Sequence, residues 1–101
     1  MLNDTICAIS TAVKDGAISI VRMSGDNVFE IIKRISDIKK IEANHIVYGH
    51  IYDKEEIIDE VLVSFFVKDK SYTRQDMVEI NCHGGPYVTK QILNILLDYG
   101  V

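Results

Sequence analysis

The sequence predicts an α+β fold, a mixed α/β sandwich of about five strands, predominantly antiparallel, with two helices packed on one face of the sheet. Three observations carry this. Five short runs rich in apolar and β-branched residues are bounded by turn signals. Two stretches place their apolar residues at helical spacing. Their order is ββαβββα, with connections that suit hairpins better than long crossovers.

Each element has its own warrant. Thr5 to Thr11 and Ala17 to Met23 read as a strand pair around the Lys14-Asp15-Gly16 turn signal, so the two are expected to be hydrogen-bonded neighbours. Val28, Ile31, Ile32 and Ile35 fall at i, i+3, i+4 and i+7, which predicts an amphipathic helix over Asp26 to Ser36 with Ser24 or Asp26 as its N-cap. His45 to Tyr52 and Ile57 to Val67 read as an antiparallel hairpin joined by the charged Asp53-Lys54-Glu55-Glu56 turn. Ser71 to Gln75 reads as a loop and Met77 to Cys82 as the fifth strand. Val88, Ile92, Ile95, Leu96 and Tyr99 then mark a second helix that stops at Gly100. Val101 follows that stop directly, so the chain is expected to be a truncated piece of a longer protein.

With 101 residues there is room for one domain and a real but modest core. A hydrophobic content of 48 % and a charged content of 26 % are those of an ordinary globular protein, which excludes disordered and collagen-like classes. No apolar run approaches the ~20 residues a membrane span needs, and no secretion signal opens the chain; the expected location is the cytoplasm, with no membrane partner. In that compartment Cys7 and Cys82, both inside apolar runs, read as small buried hydrophobes rather than a disulfide. The net charge of −4 argues against a broad basic footprint for nucleic acid. Lys33, Arg34, Lys39 and Lys40 form a small basic patch, read first as a solvated helix end whose cations offset the C-terminal dipole.

The most informative stretch runs from Ser71 to Pro86, SYTRQDMVEINCHGGP. Glu79 stands in an otherwise apolar strand, and a carboxylate there needs a partner. Gly84 and Gly85 allow positive φ or a close backbone approach, and Pro86 suits the first residue of the following helix. A helix N-terminus facing a strand carboxylate offers free N–H donors beside an acceptor, a setting for a small polar molecule. Arg22 and Glu79 on neighbouring strands equally make an internal salt bridge, and both readings stand on the residues alone. His83 is either a ligand contact or a brace for the tight turn. Tyr72 either stacks on a flat ring or packs over a core edge. His45 and His50, five apart in a strand, point to opposite faces, so no metal site is expected. Asp59 and Glu60 are adjacent and point apart, a poor arrangement for paired-carboxylate catalysis. Cys82 and His83 likewise face opposite sides, against a cysteine nucleophile with a histidine base. No phosphate loop ending in Gly-Lys-Ser or Gly-Lys-Thr occurs.

Ser71-Tyr72-Thr73, Asp76, Val78-Glu79-Ile80 and Cys82-His83-Gly84-Gly85-Pro86 closely resemble the N-terminal domain of the tRNA-modification GTPases of the MnmE/TrmE family. Asp4-Thr5-Ile6 with Ala8, Ile20-Val21-Arg22-Met23-Ser24-Gly25, and Tyr48-Gly49-His50-Ile51 leading to Ile58-Asp59-Glu60-Val61-Leu62-Val63 agree in the same order. The resemblance spans Asp4 to Gly100. It departs where the family carries a Pro- and Gly-rich loop, which here reads Thr11-Ala12-Val13-Lys14-Asp15-Gly16-Ala17.

That resemblance implies that residues 1–101 are a folate-binding and dimerising domain, similar to tetrahydrofolate-binding domains and not itself catalytic. The implied cofactor is 5-formyl- or 5,10-methylene-tetrahydrofolate, with Arg22 and Glu79 as its binding residues. Tyr72, His83, Gly84 and Gly85 are possible further members of the ligand shell. A carboxylate such as Glu79 suits the donor edge of a pterin, and a guanidinium such as Arg22 suits its oxygens. GTP, magnesium and potassium belong by resemblance to a GTPase domain absent from this chain. The implied partners are a second copy of the chain, tRNA and a flavin-dependent subunit of the MnmG/GidA type, acting at C5 of the wobble uridine. The competing expectation is a dimerisation or interaction module that keeps the fold without binding folate.

Overall fold

A computed structural model describes residues 5–9, 19–67 and 75–100. Five strands and two helices follow one another in the expected order: β1 (Ile6–Ile9), β2 (Ser19–Ser24), α1 (Val28–Ile35), β3 (Ile46–Asp53), β4 (Glu56–Phe66), β5 (Met77–Cys82) and α2 (Gly85–Asp98). The strands make one sheet in the order β1-β2-β5-β4-β3, antiparallel at every pairing. The expected neighbours β1–β2 and β3–β4 are paired, and β5 inserts between the two pairs as the centre of the sheet.

Alternation along the strands builds the core. Val21 and Met23 of β2, Val61, Val63 and Phe65 of β4, and Val78, Ile80 and Cys82 of β5 all point to one face and are buried. Both helices cover that face. The α1 stripe Val28, Ile31, Ile32 and Ile35 joins this core, as do Ile92, Ile95 and Leu96 of α2. Phe29 meets Phe65 edge to face with centroids 5.9 Å apart, tying α1 to the middle of the sheet.

Helix α1 starts later than its pattern suggested. Its N-cap is Asn27, which makes no side-chain capping bond, whereas Ser24 still belongs to β2 and donates its hydroxyl to Gln75 Oε1 at 3.1 Å. Neither Ser24 nor Asp26 is the cap, because the strand ladder to β5 holds Ser24 opposite Met77. Lys33 and Arg34 lie in the last turn of α1, as the dipole reading requires. After α1 the chain stays beside β3: Ser36 bridges Ile51, and the Asp37 N–H donates to the His50 carbonyl at 3.3 Å. The β3–β4 turn closes at Lys54-Glu55, with Lys54 at φ 60. Helix α2 begins at Gly85, one residue before Pro86, and its last carbonyls are met by the N–H groups of Tyr99 and Gly100. Tyr99, expected on the packed stripe, is exposed, because the buried face of α2 is Thr89, Ile92, Ile95 and Leu96. No helix among the described residues is long and apolar enough to cross a membrane.

Candidate functional site

The helices cover one face of the sheet and leave the other largely open. Across that open face the register sets Ala8, Arg22, Glu79, Ser64 and Ile46 side by side on five successive strands. Arg22 and Glu79 are therefore direct cross-strand partners at the centre of the sheet. The guanidinium donates from Nε to Glu79 Oε2 at 2.7 Å, and its Nη2 lies 2.5 Å from the same oxygen. Both side chains are half-buried, at 34 % and 19 % exposure, so the pair is partly desolvated yet reachable from solvent. Both nitrogens converge on Oε2, so the contact is not a two-oxygen fork, and Oε1 accepts no bond from the described residues. A carboxylate held by a cation on one side, with an oxygen left over, can accept from the N–H edge of a ligand.

The turn into α2 is built on a different carboxylate. Asp59, buried at the end of the covered face, accepts the His83 N–H at 2.8 Å and the Gly84 N–H at 3.2 Å through Oδ2. Its Oδ1 accepts the N–H of Glu60 at 2.9 Å. The carboxylate at this turn is Asp59 rather than the expected Glu79: the His83 and Gly84 N–H groups just before the helix donate to it, and Glu79 pairs with Arg22 on the sheet. The two glycines divide the tasks expected of them. Gly85 takes φ +87, and a Cβ on Gly84 would lie 2.7 Å from Val88, so one supplies the turn and the other the close approach. His83 is a brace, its Nδ1 lying 3.0 Å from the Glu60 carbonyl oxygen. This role of Asp59 carries no local signal in the sequence, because it stands 24 residues from His83 and only the folded sheet brings the two together.

The remaining candidates separate cleanly. Burial pushes the Cys82 thiol up to about 12, with the charge of Asp59 adding to it, and its Sγ points to the Ile80 carbonyl. A thiol held that high is no nucleophile at neutral pH, and His83 is committed elsewhere, so the cysteine–histidine pairing is excluded. Cys7 and Cys82 are free thiols. His45 lies before β3 with Nδ1 2.9 Å from the Ala43 carbonyl oxygen, while His50 sits on the open face with Nδ1 2.8 Å from Asp37 Oδ2. The two histidines do not meet, and no metal-binding cluster occurs among the described residues. His50 Nε2 lies 3.3 Å from the Tyr48 hydroxyl, and the two rings meet edge to face. Tyr72 and the Thr11–Ala17 loop lie outside the described residues.

Residues 5–101 match the family described as "GTP-binding protein TrmE N-terminus". The chain is similar to the tRNA modification GTPase MnmE of Thermoanaerobacter sp. (strain X514), at 51 % identity over 108 residues, covering 99 % of this chain and 24 % of that protein. It is likewise similar to the MnmE proteins of Latilactobacillus sakei and Lactobacillus gasseri, at 50 % and 48 % identity over 102 residues, covering 96 % of this chain and 22 % of each relative. The chain thus spans about a quarter of the length of the curated relatives it matches.

Proposed function

This chain belongs to the TrmE N-terminal family, and from that premise we propose that it is the tetrahydrofolate-binding, dimerising domain of a tRNA-modification GTPase. The observation that carries the reading is the half-buried Arg22–Glu79 pair on the open face of the sheet, where a ligand can reach it. The donor set fits a reduced folate. Glu79 suits the amino and ring N–H groups of the pterin as an acceptor, and the Arg22 guanidinium beside it suits the ligand's oxygens by charge and shape. Holding one edge of a flat ring in this way fixes its orientation over the sheet. A bound 5-formyl- or 5,10-methylene-tetrahydrofolate supplies a one-carbon unit. The residues of this chain bind and orient, and none takes a covalent role.

In the parent protein, GTP with its magnesium and potassium is handled by a separate domain. The whole protein acts in the cytoplasm on C5 of the wobble uridine of tRNA, together with a flavin-dependent subunit of the MnmG/GidA type. The open face, with Ile6, Tyr48 and Leu62 exposed around the pair, supports a homodimer that brings two such faces near one another. The second reading, an interaction module without folate, is favoured by one observation: Arg22 and Glu79 already satisfy one another in part.

Calorimetric titration with 5-formyltetrahydrofolate decides between the two. Glu79→Ala should weaken binding by about 1.5–3 kcal/mol, the scale of a hydrogen bond to a charged group, with the fold retained by circular dichroism. Equal affinity in wild type and variant would sink the assignment of Glu79. Absence of saturable binding in the wild type would leave the interaction module as the reading that stands.

A further inference from the structure

We infer that the cleft beside Ser64 receives the aryl ring that a folate carries beyond its pterin head, which makes Ser64 and Ile46 determinants of how strongly the substituted ligand binds; this rests on the folate reading above. A cleft of about 280 Å³ is lined by Asn44, His45, Ile46, Ser64, Phe65 and Phe66. Small-molecule pockets begin at about 300 Å³, so this space fits part of a ligand rather than the whole. Its place in the sheet says which part. Ser64 is the direct cross-strand neighbour of Glu79, and Ile46 is the neighbour of Ser64. With strands about 4.8 Å apart, Ile46 stands roughly 10 Å from Glu79 along one row of the open face.

A pterin that presents its amino and N–H edge to Glu79 carries its substituent at the far end of the bicyclic ring. Arg22 flanks Glu79 on the β2 side and holds it there. On the β4 side the next residue is the small, half-buried Ser64, and the cleft opens beyond it. Its lining has the mixed character of an aryl amide. Ile46, 67 % exposed at the rim, and Phe66 offer apolar surface, while Ser64, Asn44 and His45 bring polar groups. A large aliphatic side chain left that exposed at a cleft rim gains when a flat ring covers it.

The test compares two ligands on the full chain. The first is 5-formyltetrahydrofolate, and the second is the reduced pterin lacking the aryl tail, titrated by NMR into the millimolar range. Ser64→Phe fills the cleft, and Ile46→Ser removes its apolar rim at a site outside the core; Leu97→Ser, on the exposed side of α2, is the control. Both cleft variants should lower folate affinity by about tenfold or more and leave pterin affinity unchanged, while Leu97→Ser changes neither. Should Ser64→Phe fail to fold, Ile46→Ser alone carries the comparison. Unchanged folate affinity in the cleft variants overturns the cleft assignment and leaves the folate reading standing, as does an equal loss of both ligands, which would put the effect at the head. A wild type that binds no folate overturns the folate reading itself, and the cleft assignment falls with it.

Discussion

The same strands present two faces with opposite surroundings. On one, Val21, Met23, Val63, Phe65, Val78 and Ile80 are closed off by two helices; on the other, their immediate neighbours Arg22, Leu62, Ser64 and Glu79 meet solvent at least in part. Among the described residues, the open face is buried only at the end formed by Ser24 and Met77. The contrast teaches that period-two alternation separates a packed core from a solvent-reachable surface within a few ångströms. A residue on the covered face is held by its packing, whereas a residue on the open face can change without unfolding the sheet. Glu79 is a charged residue in the central strand, tolerable because it faces away from the core and has Arg22 beside it.

The largest effect should come from the covered face. Phe65→Ala should cost about 3–5 kcal/mol, while Ile46→Ala, one strand away on the open face, should stay within about 0.5 kcal/mol, both read by urea unfolding. Comparable losses at the two positions would break the division between the faces.

Asp59 is the polar exception on the covered face and sharpens the comparison. Asp59→Ala strands the N–H groups of His83 and Gly84 at the entry to α2, for a loss of about 3 kcal/mol and faster amide exchange at Gly84. Unchanged exchange there would mean that the turn is held by its glycines alone.

Ser19 is the other exception, a fully buried hydroxyl with no hydrogen-bond partner among the described residues. Ser19→Ala should therefore stabilise the fold by about 1 kcal/mol, because it removes an unsatisfied group without opening a large cavity. A comparable loss of stability would show that this hydroxyl is satisfied in solution.

The smallest effect belongs to the edge of the open face. Burial pushes the Asp37 carboxyl up, but the backbone N–H, the ring and the charge of His50 outweigh it and hold the carboxyl below its usual range. A depressed carboxyl contributes stability that is present above the unfolded value, near pH 4, and lost as pH falls through the folded one. Exposed at 41 %, Asp37 should contribute less than about 1 kcal/mol, and its advantage over Asp37→Asn should shrink as pH falls below about 4. A gap between the two urea midpoints that stays constant from pH 7 to pH 3 would show that the ionised form brings no advantage.

The elements, their order and most of the core-facing residues are legible in the chain alone, because apolar spacing records the period of each element locally. The His-Gly-Gly-Pro corner was legible for the same reason, since a sharp turn needs its glycines and proline in consecutive places. The helix start at Asn27 was not, because the choice between strand and cap at Ser24 depends on its ladder to β5, more than fifty residues away. The place of β5 between β2 and β4, and with it the row of Ala8, Arg22, Glu79, Ser64 and Ile46, emerges only in the folded sheet. Hairpins can be foreseen from the length of their turns, but the pairing of distant strands depends on which edges the whole core brings together. Asp59 reaches the His83 turn across twenty-four residues for that reason, and the cleft on the β3–β4 hairpin lies beside Glu79 only because β5 pairs with β4.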